Sequence, residues 1–191
     1  MALTIGINGY AGSGKSAVAQ HLIAEDWARL KFADPLKAAF RALLLDMGTH
    51  EARIDRMIEG DLKELKMSRL NGRSPREVMQ WLGAGARGSL GEDFYVNILM
   101  KKRIEKFKGR NVVIDDLRYG NESTAIRAMG GYILRIERPH VGPVNGHESE
   151  NLVGDYDILI ENKGSLDRLY ADISEAMQHI TMLDAGKRGA A

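Results

Sequence analysis

The stretch Gly9-Tyr10-Ala11-Gly12-Ser13-Gly14-Lys15-Ser16 constrains this chain more than any other. It spells Gly, four residues, Gly, Lys, Ser, the pattern of a loop whose main-chain amides cradle phosphate. Such a loop needs a strand before it and a helix after it. Leu3-Thr4-Ile5-Gly6-Ile7-Asn8 supplies the strand, apolar at alternate positions, and Val18, Ala19, Leu22 and Ile23 follow at helical spacing. Gly9, Gly12 and Gly14 let the backbone turn tightly, so that successive N–H groups, Ser13 among them, form an anion nest. The positive end of the following helix adds to the field. Lys15 is placed to reach the β- and γ-phosphates of a nucleotide, and the Ser16 hydroxyl to hold Mg²⁺.

The 191 residues suit a single domain, or a single domain with a small mobile insertion. Hydrophobic residues at 44% suffice for a core, and a net charge of +1 argues against a dedicated nucleic-acid binder. With no cysteine, the chain has no disulfide, thiolate metal site or cysteine nucleophile. No run of 18 apolar residues occurs, and Met1-Ala2-Leu3 leads straight into the first strand. Neither a signal peptide nor a membrane partner is expected, and the location expected is the cytoplasm.

Strand and helix patterns alternate along the chain. Arg29 to Ala33 reads as a second strand, and Asp34-Pro35 opens a helix with Asp34 as cap and Leu36, Ala39, Phe40, Leu43 and Leu44 inward. In residues 46–73 charged residues outnumber sparse apolar ones (Ile54, Met57, Ile58, Leu62, Leu65, Met67), so a partly helical flap with little core of its own is expected there. Ser74-Pro75-Arg76-Glu77 forms a capping box that starts a helix ending at Gly83-Ala84-Gly85. Glu92 to Phe107 is helical, with Phe94, Ile98, Ile104 and Phe107 as core candidates. Asn111 to Asp116 is a continuous apolar run ending in two carboxylates, as in a central parallel strand. Asn121 to Met129 is a short helix, Tyr132 to Ile136 and Asp157 to Ile160 are strands, and Ser165 caps a last helix before a disordered tail from Ala185. The last helix carries Leu166, Leu169, Tyr170, Ile173, Ala176, Met177 and Ile180 as an apolar stripe. The whole reads as a doubly wound α/β sheet with right-handed crossovers.

Several polar groups fall where such a sheet binds ligands. Asp115 and Asp116 end a strand, and one of them is expected to complete a Mg²⁺ shell through water. Arg118 would bind phosphate or offset transition-state charge; its plainer reading is an ion pair with Glu122. Asp34 would orient metal-bound water or a sugar hydroxyl, or simply cap its helix. Arg76 and Gln80, at i and i+4, share a helix face; with Arg87, and Trp81 either beside them or in the core, they suit a second phosphate and a base. His147 to Glu150 reads as a hinge or lid contact. Asn162-Lys163-Gly164-Ser165 is similar to the guanine-reading element of GTPases, but Ser165 stands where that element has Asp. A phosphate acceptor is already ionised at pH 7, its second pKa being about 6, and needs cations more than a base. Arg76, Arg87, Arg118 and Arg138 supply them.

These segments, with Phe32-Ala33-Asp34-Pro35-Leu36-Lys37, Asp116-Leu117-Arg118 with Glu122, His147 to Glu150 and Asn162 to Leu166, resemble the phage deoxynucleoside monophosphate kinases across nearly the whole chain. The resemblance implies a P-loop nucleoside monophosphate kinase fold, three layers α/β/α around a five-stranded parallel sheet. It implies residues 1–191 as one kinase domain, 46–90 as a mobile acceptor-binding insertion and 138–152 as a lid loop. It implies Mg²⁺-dependent transfer from ATP to a deoxynucleoside monophosphate, in the host cytoplasm if phage-encoded. Lys15, Asp116, Arg118 and Arg138 would act in catalysis, with Arg138 in the lid. Gly12 to Ser16 would bind ATP, and Asn162 and Gly164 would border its adenine. Asp34, Arg76, Gln80, Arg87 and Glu150 would hold the acceptor. Ser16 and Asp116, or Asp115 through water, would serve the metal. Small-molecule partners follow, and a homodimer is left open. A dephospho-CoA or phosphomevalonate kinase of the same fold is the nearest alternative, and an ATP-binding switch or assembly subunit a more distant one.

Overall fold

The computed structural model describes residues 2–143, 152 and 154–189, the side chains of 103, 104, 188 and 189 aside. In chain order the elements begin β1 (Thr4–Asn8), α1 (Lys15–Ala24), β2 (Ala28–Leu30), α2 (Asp34–Asp46), α3 (Glu51–Ile58) and α4 (Pro75–Leu90). They continue α5 (Phe94–Lys106), β3 (Val112–Ile114), α6 (Gly120–Ala128), β4 (Tyr132–Glu137), β5 (Ile158–Glu161) and α7 (Leu166–Gly189). The chain divides into two compact units: Met1–Lys31 with Leu99–Ala191, and Phe32–Ile98.

The first unit is built on a sheet of five parallel strands in the order β2-β3-β1-β4-β5, as the fold class required. Strand alternation sorts β1 between two faces. Ile5 and Ile7 join Val18, Ala19 and Leu22 of α1 and Leu169, Ile173, Ala176 and Ile180 of α7 in one buried cluster. Gly6 faces the other way, where a Cβ would run into Ile126 of α6 and Leu117. The missing side chain therefore lets α6 lie close against the sheet. Arg127 of α6 pairs with Asp155 and Asp157 ahead of β5. Burial disfavours its charge, yet the two carboxylates outweigh that and hold its pKa above the usual value.

Some boundaries differ from expectation. The second strand is Ala28–Leu30, so residues 31–33 lie outside it. Ile23 is exposed on the outer side of α1, and Leu166 is exposed at the start of α7. The tail expected from Ala185 onward is helical through Gly189, and the Lys187 ammonium lies 4.4 Å from the centre of the Tyr132 ring. That cation–π contact gives the last turn a partner on the sheet.

The second unit is helical. Expected as a cap, Asp34 is instead the first residue of α2; Ala33 is already in right-handed helical geometry and takes the cap position. Phe40 and Leu44, one turn apart, are buried, whereas Ala39 and Leu43 are exposed. Residues 46–73, read as poor in core, carry a real one. Ile54, Met57 and Ile58 of α3 and Met67 pack with Phe40, Leu44 and Met79. Their i, i+3, i+4 spacing places three of them on a single stripe, so few apolar residues suffice. The capping box at Ser74 is present in both directions. From there α4 runs on to Leu90, through the expected stop at Gly83-Ala84-Gly85. At Gly83 a Cβ would press on Leu36 at 3.3 Å, so this glycine lets α2 approach α4. Gly91, at φ 102°, ends the helix instead. Where α5 opens, Tyr95, Val96 and Leu99 are buried, while Phe94, Ile98 and Phe107 are only half-buried. The Ile104 side chain lies outside the described set. Among the described residues no helix is long and apolar enough to cross a membrane.

Candidate active site

The first unit gathers the phosphate-loop residues at the carboxyl end of β1. Gly9 sits at φ +152°, where a Cβ would collide with the Ile136 carbonyl oxygen of β4. Gly14 sits at φ +112°, where a Cβ would come within 2.6 Å of Asn162 Nδ2. Only glycine passes both points without strain. The opening turn of a helix carries amides that no carbonyl of that helix accepts, and here that turn starts at Lys15. Lys15 Nζ donates to the Gly9 and Tyr10 carbonyls, each at 2.6 Å, so the ammonium is folded over the loop. Gly12 and Ser16 are exposed, and Ser13 is buried. The structure also brings in Asn162, just past β5: its Nδ2 donates to the Ser13 carbonyl at 2.9 Å. That bond, and the contact with Gly14, fixes the loop against the β5 end. Gly164 is exposed two residues on.

The two carboxylates after β3 part company. Asp115 is buried, and Arg29 of β2 grips both its oxygens, with Nε donating to Oδ1 at 2.9 Å. A carboxylate bound so has both oxygens engaged within the fold, which leaves Asp116 the more available of the pair. The pairing follows from register. Arg29 lies opposite Val113, and Asp115 is the next residue on that face of the chain. Sequence reading missed Arg29 because nothing in the sequence says that β2 lies beside β3. Asp116 is half-buried, and so is Arg118. Arg118 and Glu122 also meet through the main chain. The buried Glu122 carboxylate accepts the main-chain N–H of Arg118 at 2.8 Å and of Tyr119 at 3.1 Å. Arg138 is exposed one residue beyond β4, and its carbonyl accepts the Val141 amide. His147 to Glu150 lie outside the described residues.

In the second unit the continuation of α4 changes the reading of its polar set. Arg87 belongs to the helix and not to a following loop. At about 100° per residue, Arg76, Gln80 and Arg87 fall within about 40° of one another on the helix surface. Trp81 is about 100° away from Gln80 by the same count; it is 68% exposed, so it belongs neither to this face nor to the core. Arg87 lies over the Tyr95 ring at 5.9 Å. Burial raises the Tyr95 pKa and the Arg87 charge pulls it back. Arg76 pairs with Glu64, and its main-chain N–H donates to the Lys63 carbonyl at 3.0 Å. On α2, Lys37 pairs with Glu59 at 2.5 Å and Arg41 with Asp55. Asp34 stands in the first turn of that helix. Neither Tyr95 nor Glu64 was legible as a partner, since each meets its arginine only once the helices pack.

A central parallel sheet, a glycine-lined anion loop with its lysine, and a carboxylate–arginine turn after β3 define a phosphotransferase of the P-loop kinase class. Dephospho-CoA kinase from Campylobacter jejuni is similar in fold, with a TM-score of 0.50 at 13% identity over 94% of this chain and 98% of its own. So is TT1252 from Thermus thermophilus, with a TM-score of 0.50 at 18% identity over 93% and 97%. Within that class, the family model for deoxynucleotide monophosphate kinase matches residues 42–173. A protein of Acanthamoeba polyphaga mimivirus, named as a candidate deoxynucleotide monophosphate kinase, is 30% identical over 94% of this chain and 98% of its own length. The chain belongs to the deoxynucleotide monophosphate kinase family.

Proposed function

We propose that this chain transfers the γ-phosphoryl group of ATP to a deoxynucleoside monophosphate, giving ADP and the diphosphate. Family membership supports the reaction class. The observation that carries the residue assignment is the unbroken run of α4 to Leu90, which sets Arg76, Gln80 and Arg87 on one face. Two guanidinium groups and an amide can clamp a phosphate bidentately and hydrogen-bond a base. The acceptor oxygen is ionised at pH 7, so no general base is required. The remaining obstacle is repulsion between two anions, which positioning and cations overcome.

On the donor side, Lys15 would leave the Gly9 and Tyr10 carbonyls for the phosphates, and the loop amides would hold them. The cradle suits this: glycine is enforced at Gly9 and Gly14, and the loop opens to solvent at Gly12 and Ser16. Ser16 and Asp116 would hold Mg²⁺, an all-oxygen donor set that suits a hard cation. When bound, the ion would neutralise charge on the nucleotide's phosphates. Arg118 and Arg138 would offset charge on the transferring group. Asn162 and Gly164 would border the adenine, and Asp34 and Glu150 would contact the acceptor. The segment 46–90 would carry the acceptor, and 138–152 would act as lid.

An ADP-release assay with all four deoxynucleoside monophosphates, the four ribonucleotides, dephospho-CoA and phosphomevalonate tests the reading. Turnover with at least one deoxynucleotide is expected. Turnover confined to a non-nucleotide acceptor overturns it.

A further inference from the structure

Resting on that reading, we propose that Asn8 is a positioning residue that couples the phosphate loop to the Asp116–Arg118 turn. Asn8 ends β1 and directly precedes Gly9, the first residue of the loop. Alternation along β1 puts it on the Gly6 face, towards α6 and Leu117. It is 1% exposed, and its Nδ2 donates to the Leu117 carbonyl at 3.1 Å. Leu117 lies between Asp116 and Arg118. One side chain therefore joins the start of the loop to the middle of the turn that carries both groups, across 109 residues of chain.

The orientation of this amide is fixed by chemistry. A carbonyl only accepts, so the nitrogen must face Leu117 and Oδ1 must face away. There Oδ1 is buried and has no hydrogen-bond partner among the described residues. An unpaired buried acceptor is unfavourable, and an apolar side chain of similar size would avoid that cost. What the amide adds is the donor to Leu117. The other side of the turn is fixed independently, because buried Glu122 accepts the Arg118 and Tyr119 amides. Ser13 Oγ, likewise buried and without a partner among the described residues, lies against Gly9. Unpaired polar atoms thus flank the loop's first glycine, where a fold optimised for stability alone would not place them.

Without Asn8 Nδ2 the turn would lose its tie to the loop, and the Glu122 bonds alone would hold it less firmly, so the Arg118 and Tyr119 amides would open more often. Hydrogen exchange and steady-state kinetics on Asn8→Ala test this. Exchange at the Arg118 and Tyr119 amides is expected to rise at least tenfold, with the β1–β4 ladder changed less than twofold. Turnover is expected to fall about tenfold, with the KM for ATP within about threefold of wild type. Unchanged exchange at Arg118 and Tyr119, or an equal rise at every amide, overturns the proposal. If Asn8→Ala does not fold, Asn8→Ser is read by the same two exchange sites. Exchange does not depend on the acceptor, so a wild-type protein inactive on every deoxynucleotide would sink the proposed reaction and leave this coupling to be decided on its own.

Discussion

In the first unit the proposed phosphate cradle is mainly main chain, a glycine loop and a helix start, with Lys15 resting on the loop's own carbonyls and Arg118 and Arg138 proposed to assist. In the second unit the groups proposed for the acceptor, Arg76, Gln80 and Arg87, are side chains on one helix face, and Arg76 is paired with Glu64. The difference teaches how each half can change. A main-chain cradle is fixed by backbone geometry and is indifferent to what the phosphate is attached to. A side-chain face can be retuned by single substitutions, which suits the acceptor selection proposed for that half. An exposed ion pair of this kind contributes little stability, so the dianion of the proposed acceptor would compete for Arg76.

The comparison breaks most severely at Lys15. In Lys15→Ala, phosphotransfer is expected to fall by more than about 10²-fold, with the thermal midpoint nearly unchanged. Surviving activity would mean that the loop amides suffice without the ammonium. Next in size is Ile54→Ala, which opens a cavity in the second unit's core and should cost about 3 kcal/mol. Denaturant melts followed by hydrogen exchange check it: protection lost in α3 but kept in β1 and β4 sharpens the division into two units, and equal loss in both erases it. Smaller again, Arg76→Ala should raise the acceptor KM about tenfold at nearly constant turnover, the mark of lost uniform binding. Glu64→Gln should lower that KM by about threefold, since it removes a competing carboxylate. A rise in Glu64→Gln would show the pair to be part of the binding geometry.

The smallest effect concerns Glu77. Chiefly the Ser74 main-chain amide, helped by the Ser74 side chain, holds its pKa below the usual 4.5. A carboxylate with a lowered folded pKa stabilises above its unfolded pKa and loses that contribution as pH falls through the folded value. Glu77→Gln should therefore melt a few degrees lower near neutral pH, with the gap closing in acid. A gap that persisted in acid would assign the loss to packing.

Local rules were enough wherever the information was local. The strand–loop–helix unit at Gly9–Ser16 and the capping box at Ser74 were readable because each is closed within a few residues. The same is true of four of the five strands; the second was found but placed too far along, since Ala28-Arg29-Leu30 has no turn residue to end it. Reading failed where an outcome depended on a neighbour. Gly83 and Gly85 look like a helix end, yet Leu36 packs where a Gly83 side chain would be and the helix continues. Residues 46–73 look too charged for a core, yet a narrow stripe of Ile54, Met57 and Ile58 meets Phe40 and Leu44. The tail from Ala185 has little apolar character, yet Lys187 finds the Tyr132 ring.

By itself, then, the sequence determined the parallel α/β class, the phosphate loop and the family to which the chain belongs. All three are written in backbone-forcing residues and short-range periodicity. Tertiary structure alone decided which of two adjacent carboxylates was committed to Arg29, that Arg87 shares a helix face with Arg76 and Gln80, and that Asn8 reaches Leu117. Those outcomes rest on strand order and on helix packing, where residues far apart in the chain meet at hydrogen-bond distance. No local pattern encodes such a meeting.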